Sequence, residues 1–375
     1  MKNYCALPFA HLCTDTLGYY QVCCQHSVPE SKKLHLSEAT PNEWLNHQYL
    51  YEVRESFRQD LRHPGCNACW KQEDSGIPSL RQRIDKEYKI LCSDPFAEKM
   101  ISVELQAGNL CNLTCIMCNE QDSSAILFEN KKLGINILQQ NNFKWEDNTW
   151  NNFKAVLDMN PRVLNIRGGE PLYSKKLLEI VESLSDEQCS KMLLHITTNA
   201  TVWNQRWENA LQRFKLVRLM LSIDAVGSTY EYIRYPSKWT EIENNVKQIT
   251  SNKNFKVLIY SVVQNLNIGV LEELIDWCNE KKLNLQLHRL GNPDYLDFTN
   301  LPDNVIFPTI QQLERCQTKV QDTMVKSFIQ SAVNELKIKI QKGHDNKKWE
   351  NFISAMSLRE SIRNNDYRKV LKYYS

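Results

Sequence analysis

Between residues 101 and 290, six short runs rich in apolar and β-branched residues alternate with longer stretches of helical spacing. The runs are ISVELQ (Ile101–Gln106), RVLNIRG (Arg162–Gly168), LLHITTN (Leu193–Asn199), LVRLMLSID (Leu216–Asp224), FKVLIYSVV (Phe255–Val263) and NLQLHRL (Asn284–Leu290). Between them, segments such as KKLLEIVESL and GVLEELIDWCNEKK repeat apolar residues at i, i+3, i+4 and i+7, the spacing of one helix face. Strands that alternate with helices join through crossovers, which predicts a parallel α/β architecture. Six units fall short of the eight in a complete barrel. The count suits an open, partial (β/α)6 TIM-like barrel or a doubly wound sheet, and periodicity does not choose between them.

The flanks read differently. Residues 1–100 are rich in loops and cysteines, with one helix predicted over Glu43–Leu61, before His63-Pro64-Gly65. After Gly291-Asn292-Pro293, residues 291–375 are polar and helical in pattern, as in MVKSFIQSAVNELKIKIQK. The expected organisation is a cysteine-rich module at 1–100, the barrel at 101–290 and a helical extension at 291–375. A net charge of +2 makes no electrostatic case for a nucleic acid or an anionic membrane as partner. There is no run of about 18 apolar residues to span a bilayer, and MKNYCALPFAHLCTD lacks the apolar core of a secretory signal. A cytoplasmic, reducing location is therefore expected.

In such a compartment, thirteen cysteines point to metal binding or redox chemistry rather than disulfides. Cys92, Cys189, Cys278 and Cys316 stand alone and read as buried small hydrophobes. The others fall in two groups. CNLTCIMC places Cys111, Cys115 and Cys118 directly after the first run of the barrel, on its expected C-terminal loop. That is the face on which parallel α/β folds build their sites. A structural zinc ion wants four ligands, and a [4Fe–4S] cluster normally takes four cysteines. Three thiolates on a cluster leave one iron open to a further molecule; an incomplete zinc site or three core cysteines are the alternatives. The second group comprises Cys5, Cys13, Cys23, Cys24, Cys66 and Cys69. Its C-x2-C pair, Cys66 and Cys69, together with distant cysteines is a metal-site pattern, zinc included. Cys23 and Cys24 are adjacent, and neighbouring side chains of an extended segment point to opposite faces. One of the two must turn away.

CNLTCIMC resembles the C-x3-C-x2-C motif of the radical S-adenosylmethionine (SAM) superfamily, and three later motifs strengthen the likeness. RGGEP, Arg167–Pro171, resembles the family's GGE motif at the end of the second strand. TTNAT ends the third strand where the family often has Thr-Asn-Gly, with Ala200 in place of the glycine. LSIDAVGSTYEYIR resembles its Ser-x-Asp run followed by an arginine. The likeness covers residues 101–290 and implies a partial barrel, with Cys111, Cys115 and Cys118 holding a [4Fe–4S] cluster whose open iron chelates SAM. It further implies that Gly168 and Gly169 let the backbone approach the SAM ammonium, that Glu170 accepts from it, and that Asn199 and Ser222 line the cofactor. Arg234 would face the SAM carboxylate and Asp224 the ribose or the substrate.

The Gly18-x4-Cys23 spacing and Cys66-x2-Cys69-Trp70 also resemble the auxiliary-cluster module of SPASM and twitch relatives, here preceding the barrel instead of following it. The ligands implied for an auxiliary [4Fe–4S] cluster are Cys5, Cys23, Cys66 and Cys69, with Cys13 as the main substitute and Cys24 facing away. The resemblance implies an enzyme fed electrons by a donor such as flavodoxin or ferredoxin. Its deoxyadenosyl radical would abstract hydrogen from a peptide or protein side chain, or else from a small metabolite such as an amino acid, sugar or nucleotide. A non-catalytic zinc or cluster scaffold is the competing class, and the GGEP motif speaks against it. No residue identifies the substrate. His195, Tyr230, Tyr232 and His288 are possible proton donors that read first as packing or surface. Trp349, Arg359 and Arg363 read as ordinary amphipathic helix faces.

Overall fold

All six runs become strands, each within two residues of its expected bounds. In a computed structural model that describes residues 2–370 except 77, 92, 93, 95, 138–144 and 343–345, they are β3 (Ser102–Gln106), β4 (Val163–Arg167), β5 (Leu193–Thr198), β6 (Leu216–Ser222), β7 (Phe255–Val263) and β8 (Asn284–Arg289). Cys92 lies outside the described residues. Two short strands precede them, β1 (His11–Thr14) and β2 (Tyr20–Gln21). Neither has a detectable alternation: β1 is four residues long and buried throughout.

The chain forms two compact units. The first comprises residues 1–111, 138–196 and 204–217; the second comprises 112–137, 197–203 and 218–375. In the first, the strands stand in the order β2-β1-β3-β4-β5. β1 lies parallel to β3, with Cys13 opposite Glu104. β3, β4 and β5 are parallel and in register, so that Glu104, Asn165 and His195 share one row. In the second unit the order is β6-β7-β8, with β7 and β8 parallel. From β3 onward the order in each unit follows the chain and never reverses. A doubly wound sheet requires such a reversal, so the winding is of the barrel type.

The period-two pattern of β3–β5 separates two faces. Val103, Leu105, Leu164, Ile166, Leu194 and Ile196 are at most 1% exposed, and burying each contributes about 1.5–3 kcal/mol. Glu104, Gln106, Asn165, Arg167 and His195, on the other face, are polar and half-buried. An apolar face packs, and a polar half-open face can receive a ligand.

The helix expected over Glu43–Leu61 is two helices, Pro41–Leu45 and α1 (Gln48–Arg58), because His47 is extended and its side chain accepts from Tyr49 N to start a new helix. Next come α2 (Asn67–Asp74), α3 (Ser124–Lys132), α4 (Gly227–Ile233) and α5 (Leu271–Lys281). Residues beyond 300 are helical as expected: α6 (Asp303–Lys319), α7 (Thr323–Lys342) and α8 (Asn346–Arg363). α6 packs on α5 and α7, and α7 on β8. Among the described residues no helix is long and apolar enough to cross a membrane. Cys189, Cys278 and Cys316 are buried, as their isolation suggested.

Candidate cofactor site

The cysteine loop follows β3 and is fastened along its length. In the second unit, Thr114 N donates to Tyr235 O at 2.7 Å and Ile116 N to Ile233 O at 2.9 Å. The segment carrying Cys115 therefore runs alongside the chain that leaves α4. Cys118 N donates to Cys115 O at 3.1 Å, which turns the loop back on itself. Ser123 then fulfils two roles: its Oγ accepts from Ile126 N to cap α3 and donates to Leu113 O at 2.8 Å. Cys115 is buried, whereas Cys118 is half-buried.

Arg234 lies in the gap of that pairing and is 8% exposed. Its Nε donates to Asp224 Oδ2 at 2.7 Å and its Nη1 points to Cys115 Sγ at 3.8 Å. Asp224 is 1% exposed, and its other oxygen accepts from Val262 N at 2.8 Å. Burial alone would depress the Arg234 guanidinium; Asp224 and Cys115 reverse that and hold its pKa above the ordinary value. Burial raises the Cys115 thiol, and Arg234 and Arg363 pull it back down. The two residues assigned by resemblance to SAM are thus paired with each other and with a candidate cluster ligand. Such an ion pair keeps a buried cation beside the sulfur that must become a thiolate.

Asn199 also belongs to this unit. Its amide donates to Asn112 Oδ1 at 3.1 Å and its carbonyl oxygen accepts from Thr201 N at 2.9 Å, so it braces the residue after Cys111. Ala200, where the family often has glycine, sits at φ +60°. This left-handed conformation costs an L-residue with a Cβ roughly 1–2 kcal/mol and explains why glycine suits the position. Ser222 ends β6 half-buried. Tyr230 and Tyr232 are buried packing residues; the Tyr232 hydroxyl donates to Glu360 Oε1 at 2.9 Å. His288 stacks on Tyr260 with centroids 4.1 Å apart.

The first unit holds Cys111, Gly168, Gly169 and Glu170. Gly169 N donates to Gly108 O at 2.9 Å and Glu170 N to Leu110 O at 2.8 Å. A Cβ on Gly168, at φ +130°, would lie 2.7 Å from Gly108 O, and one on Gly169 would lie 2.5 Å from Leu110 O. The glycines thus let the chain after β4 zip onto the segment that delivers Cys111. Close approach is required, as the motif implied, but here between two backbones. Glu170 is 2% exposed and accepts from Leu172 N at 2.9 Å.

Sequence reasoning passed over a buried charge cluster in the second unit. Glu129, on α3, accepts from Arg359 Nη1 at 2.6 Å and from Arg363 Nε and Nη2 at 2.5 Å each. Arg363 Nη2 also donates to Thr114 O at 2.7 Å, next to Cys115. Arg359 and Arg363 therefore do not form an ordinary exposed face. The available signal was their i, i+4 spacing, which puts both on one side of α8.

The N-terminal thiols occupy the first unit and lie near one another. Burial raises Cys5 well above 9.0, with Asp85, Cys23 and Cys66 adding to it. Burial raises Cys23 to about 12, and Cys24, Cys66 and Cys69 add to it. Cys66 is raised to about 12 by burial and then by Cys69. Cys5, Cys23, Cys66 and Cys69 are thus linked electrostatically, and Cys13 and Cys24 also interact with Cys23; thiols so gathered suit an iron–sulfur cluster. Cys13 and Cys24 lie toward Glu104 and Arg167. Gly18, at φ +98°, makes the turn between β1 and β2, with its N–H on Asp15, and thereby sets Cys23 and Cys24 in place. Beside Cys66, His26 and His63 complete a trio whose ligand atoms lie within 4.8 Å of one another.

Residues 105–278 match the family model described as the radical SAM superfamily. Among curated relatives, the chain is 24% identical over 202 residues to the "Probable GTP 3′,8-cyclase" of Methanocaldococcus jannaschii, covering 52% of this chain and 60% of that protein. It is also 24% identical over 200 residues to the GTP 3′,8-cyclase of Bradyrhizobium diazoefficiens, covering 52% and 54%. The chain thus spans little more than half the length of these relatives. Among solved structures it is similar to native anSMEcpe with bound AdoMet, at 20% identity and a TM-score of 0.38 over 52% of this chain and 53% of that one.

Proposed function

We propose that Cys111, Cys115 and Cys118 are the ligands of the [4Fe–4S] cluster, and that Gly168, Gly169, Glu170, Asn199, Ser222, Asp224 and Arg234 are the residues that bind SAM. The observation that carries this reading is the fastened C-x3-C-x2-C loop, with buried Cys115 beside the Arg234 guanidinium. The cluster and SAM held by these residues would supply one-electron reductive cleavage of SAM and hydrogen abstraction from the substrate. The chain's own task is to hold the reactants and exclude water. Arg234 and Asp224 keep the Cys115 environment polar yet dry, and the zipped segments 108–110 and 168–170 hold Cys111 in place.

The substrate in this reading is a peptide or protein side chain, and an auxiliary [4Fe–4S] cluster held by Cys5, Cys23, Cys66 and Cys69 would accept the electron left on the substrate radical. The mutual interactions of these four thiols support the ligand set. A second reading, modification of a small molecule such as a nucleotide, draws support from the names of the curated relatives. Anaerobic reconstitution tests the assignment: about eight irons per chain for two cubanes, and 5′-deoxyadenosine on adding SAM and dithionite. Stoichiometric zinc with no SAM cleavage would sink it. Supplying candidate peptides and nucleotides separately, and following product mass, decides between the substrate classes.

A further inference from the structure

His26 is 6% exposed and has a partner on each ring nitrogen. Its Nδ1 lies 3.3 Å from Cys66 Sγ and its Nε2 lies 2.8 Å from the Tyr49 hydroxyl. The ring stacks on His63, with centroids 5.3 Å apart, and meets the edge of Tyr49. Gly65 fits this arrangement: a Cβ there would lie 2.4 Å from His26 Nε2 and 3.0 Å from Ser27 O. Ser27 N donates to Gly65 O at 2.9 Å, so the backbone before Cys66 is fastened to the backbone after His26. The imidazole is thus aimed at one sulfur by covalent neighbours, stacking and a hydroxyl.

We propose that His26 is a positioning residue that donates a hydrogen bond from Nδ1 to the Cys66 thiolate and sets the reduction potential of the auxiliary cluster. The proposal rests on the auxiliary-cluster reading above. A metal-bound cysteine has lost its S–H and can only accept. Nδ1 must then carry the proton of the neutral ring, which leaves Nε2 to accept from the Tyr49 O–H at 2.8 Å, a proton for which Ser27 O at 3.3 Å competes. An N–H directed at a cluster sulfur withdraws charge from it and favours the reduced cluster, raising its potential. Outer partners of metal ligands act in this way on orientation and electronics.

The test isolates one cluster. In the full chain carrying Cys111→Ala, Cys115→Ala and Cys118→Ala, only the N-terminal cluster remains to be titrated with dithionite, which adds one electron without breaking a bond. His26→Leu should keep the iron and lower the potential by about 59 mV, a tenfold shift of a one-electron equilibrium. His26→Asn, with an N–H near the place of Nδ1, should stay close to the parent. Tyr49→Phe should shift in the same direction as His26→Leu, by less. An unchanged potential in His26→Leu overturns the proposal while leaving the cluster assignment standing. If His26→Leu holds no iron, Tyr49→Phe decides: a lowered potential upholds the proposal and an unchanged one overturns it. No iron in the triple-alanine parent overturns the auxiliary cluster itself. One zinc per chain, lost on His26→Leu or His63→Leu, would instead identify a mononuclear site on His26, His63 and Cys66.

Discussion

The two cysteine groups are built by different means. Around Cys115 the loop is fastened by backbone bonds to residues 233 and 235, and two arginine charges counter the effect of burial on its thiol. In the N-terminal group, burial dominates: Cys5 and Cys23 have no cation among the causes of their shifts, and only Arg81 offsets Cys66. At both sites burial leads and leaves the thiol raised, so a metal must displace a proton; at Cys115 the two cations lessen that cost. In the proposed reading, a cluster that leaves one iron to SAM would need a loop held by the protein itself, as the backbone bonds of Thr114 and Ile116 hold it.

The largest effect expected from breaking this contrast is chemical. Cys115→Ala should abolish 5′-deoxyadenosine formation, while Cys66→Ala should leave the electron paramagnetic resonance signal of the first cluster intact. Loss of both signals in the Cys66 variant would mean that the N-terminal site mainly supports folding. Next is the brace behind Cys115. Glu129→Leu leaves Arg359 and Arg363 buried without their carboxylate, and should cost about 3–5 kcal/mol in chemical denaturation. A loss under about 1 kcal/mol would show that the arginines reach water.

The pH response separates the groups more finely. Cys23 and Cys66 are pushed to about 12, above their ordinary 9.0, so the folded metal-free protein holds their protons more tightly than the unfolded chain. Their stabilisation is complete below about pH 9 and is lost as pH rises toward 12. The denaturation midpoint of iron-free protein should therefore fall above pH 9, and that of the reconstituted protein should fall less. The smallest effect is expected outside both groups. Cys24→Ser should leave the iron content unchanged, because Cys24 lies toward Arg167 and Glu104; a loss of about four irons would exchange it for one of the proposed ligands.

Much of this contrast was legible in the chain. Six barrel strands could be read from β-branched runs because a half-buried strand has to alternate, whereas Cys23 and Cys24 lie in a bend and turn rather than the extended segment their reading assumed. β1 and β2 were not legible, being too short to show a period. That Gly168 and Gly169 also approach the backbone of residues 107–110 was not legible, because no local pattern names a partner so distant in the chain.

By itself, then, the sequence determined the parallel α/β class, the order of the motifs and the spacing of the thiols, all properties of short stretches. Tertiary structure decided which distant groups meet: Glu129 with Arg359 and Arg363, Arg234 with Asp224 and Cys115, and His26 with Cys66 and Tyr49. Those pairings span up to 234 positions of chain. A local pattern records which face a residue turns inward, and folding alone supplies the partner it finds there.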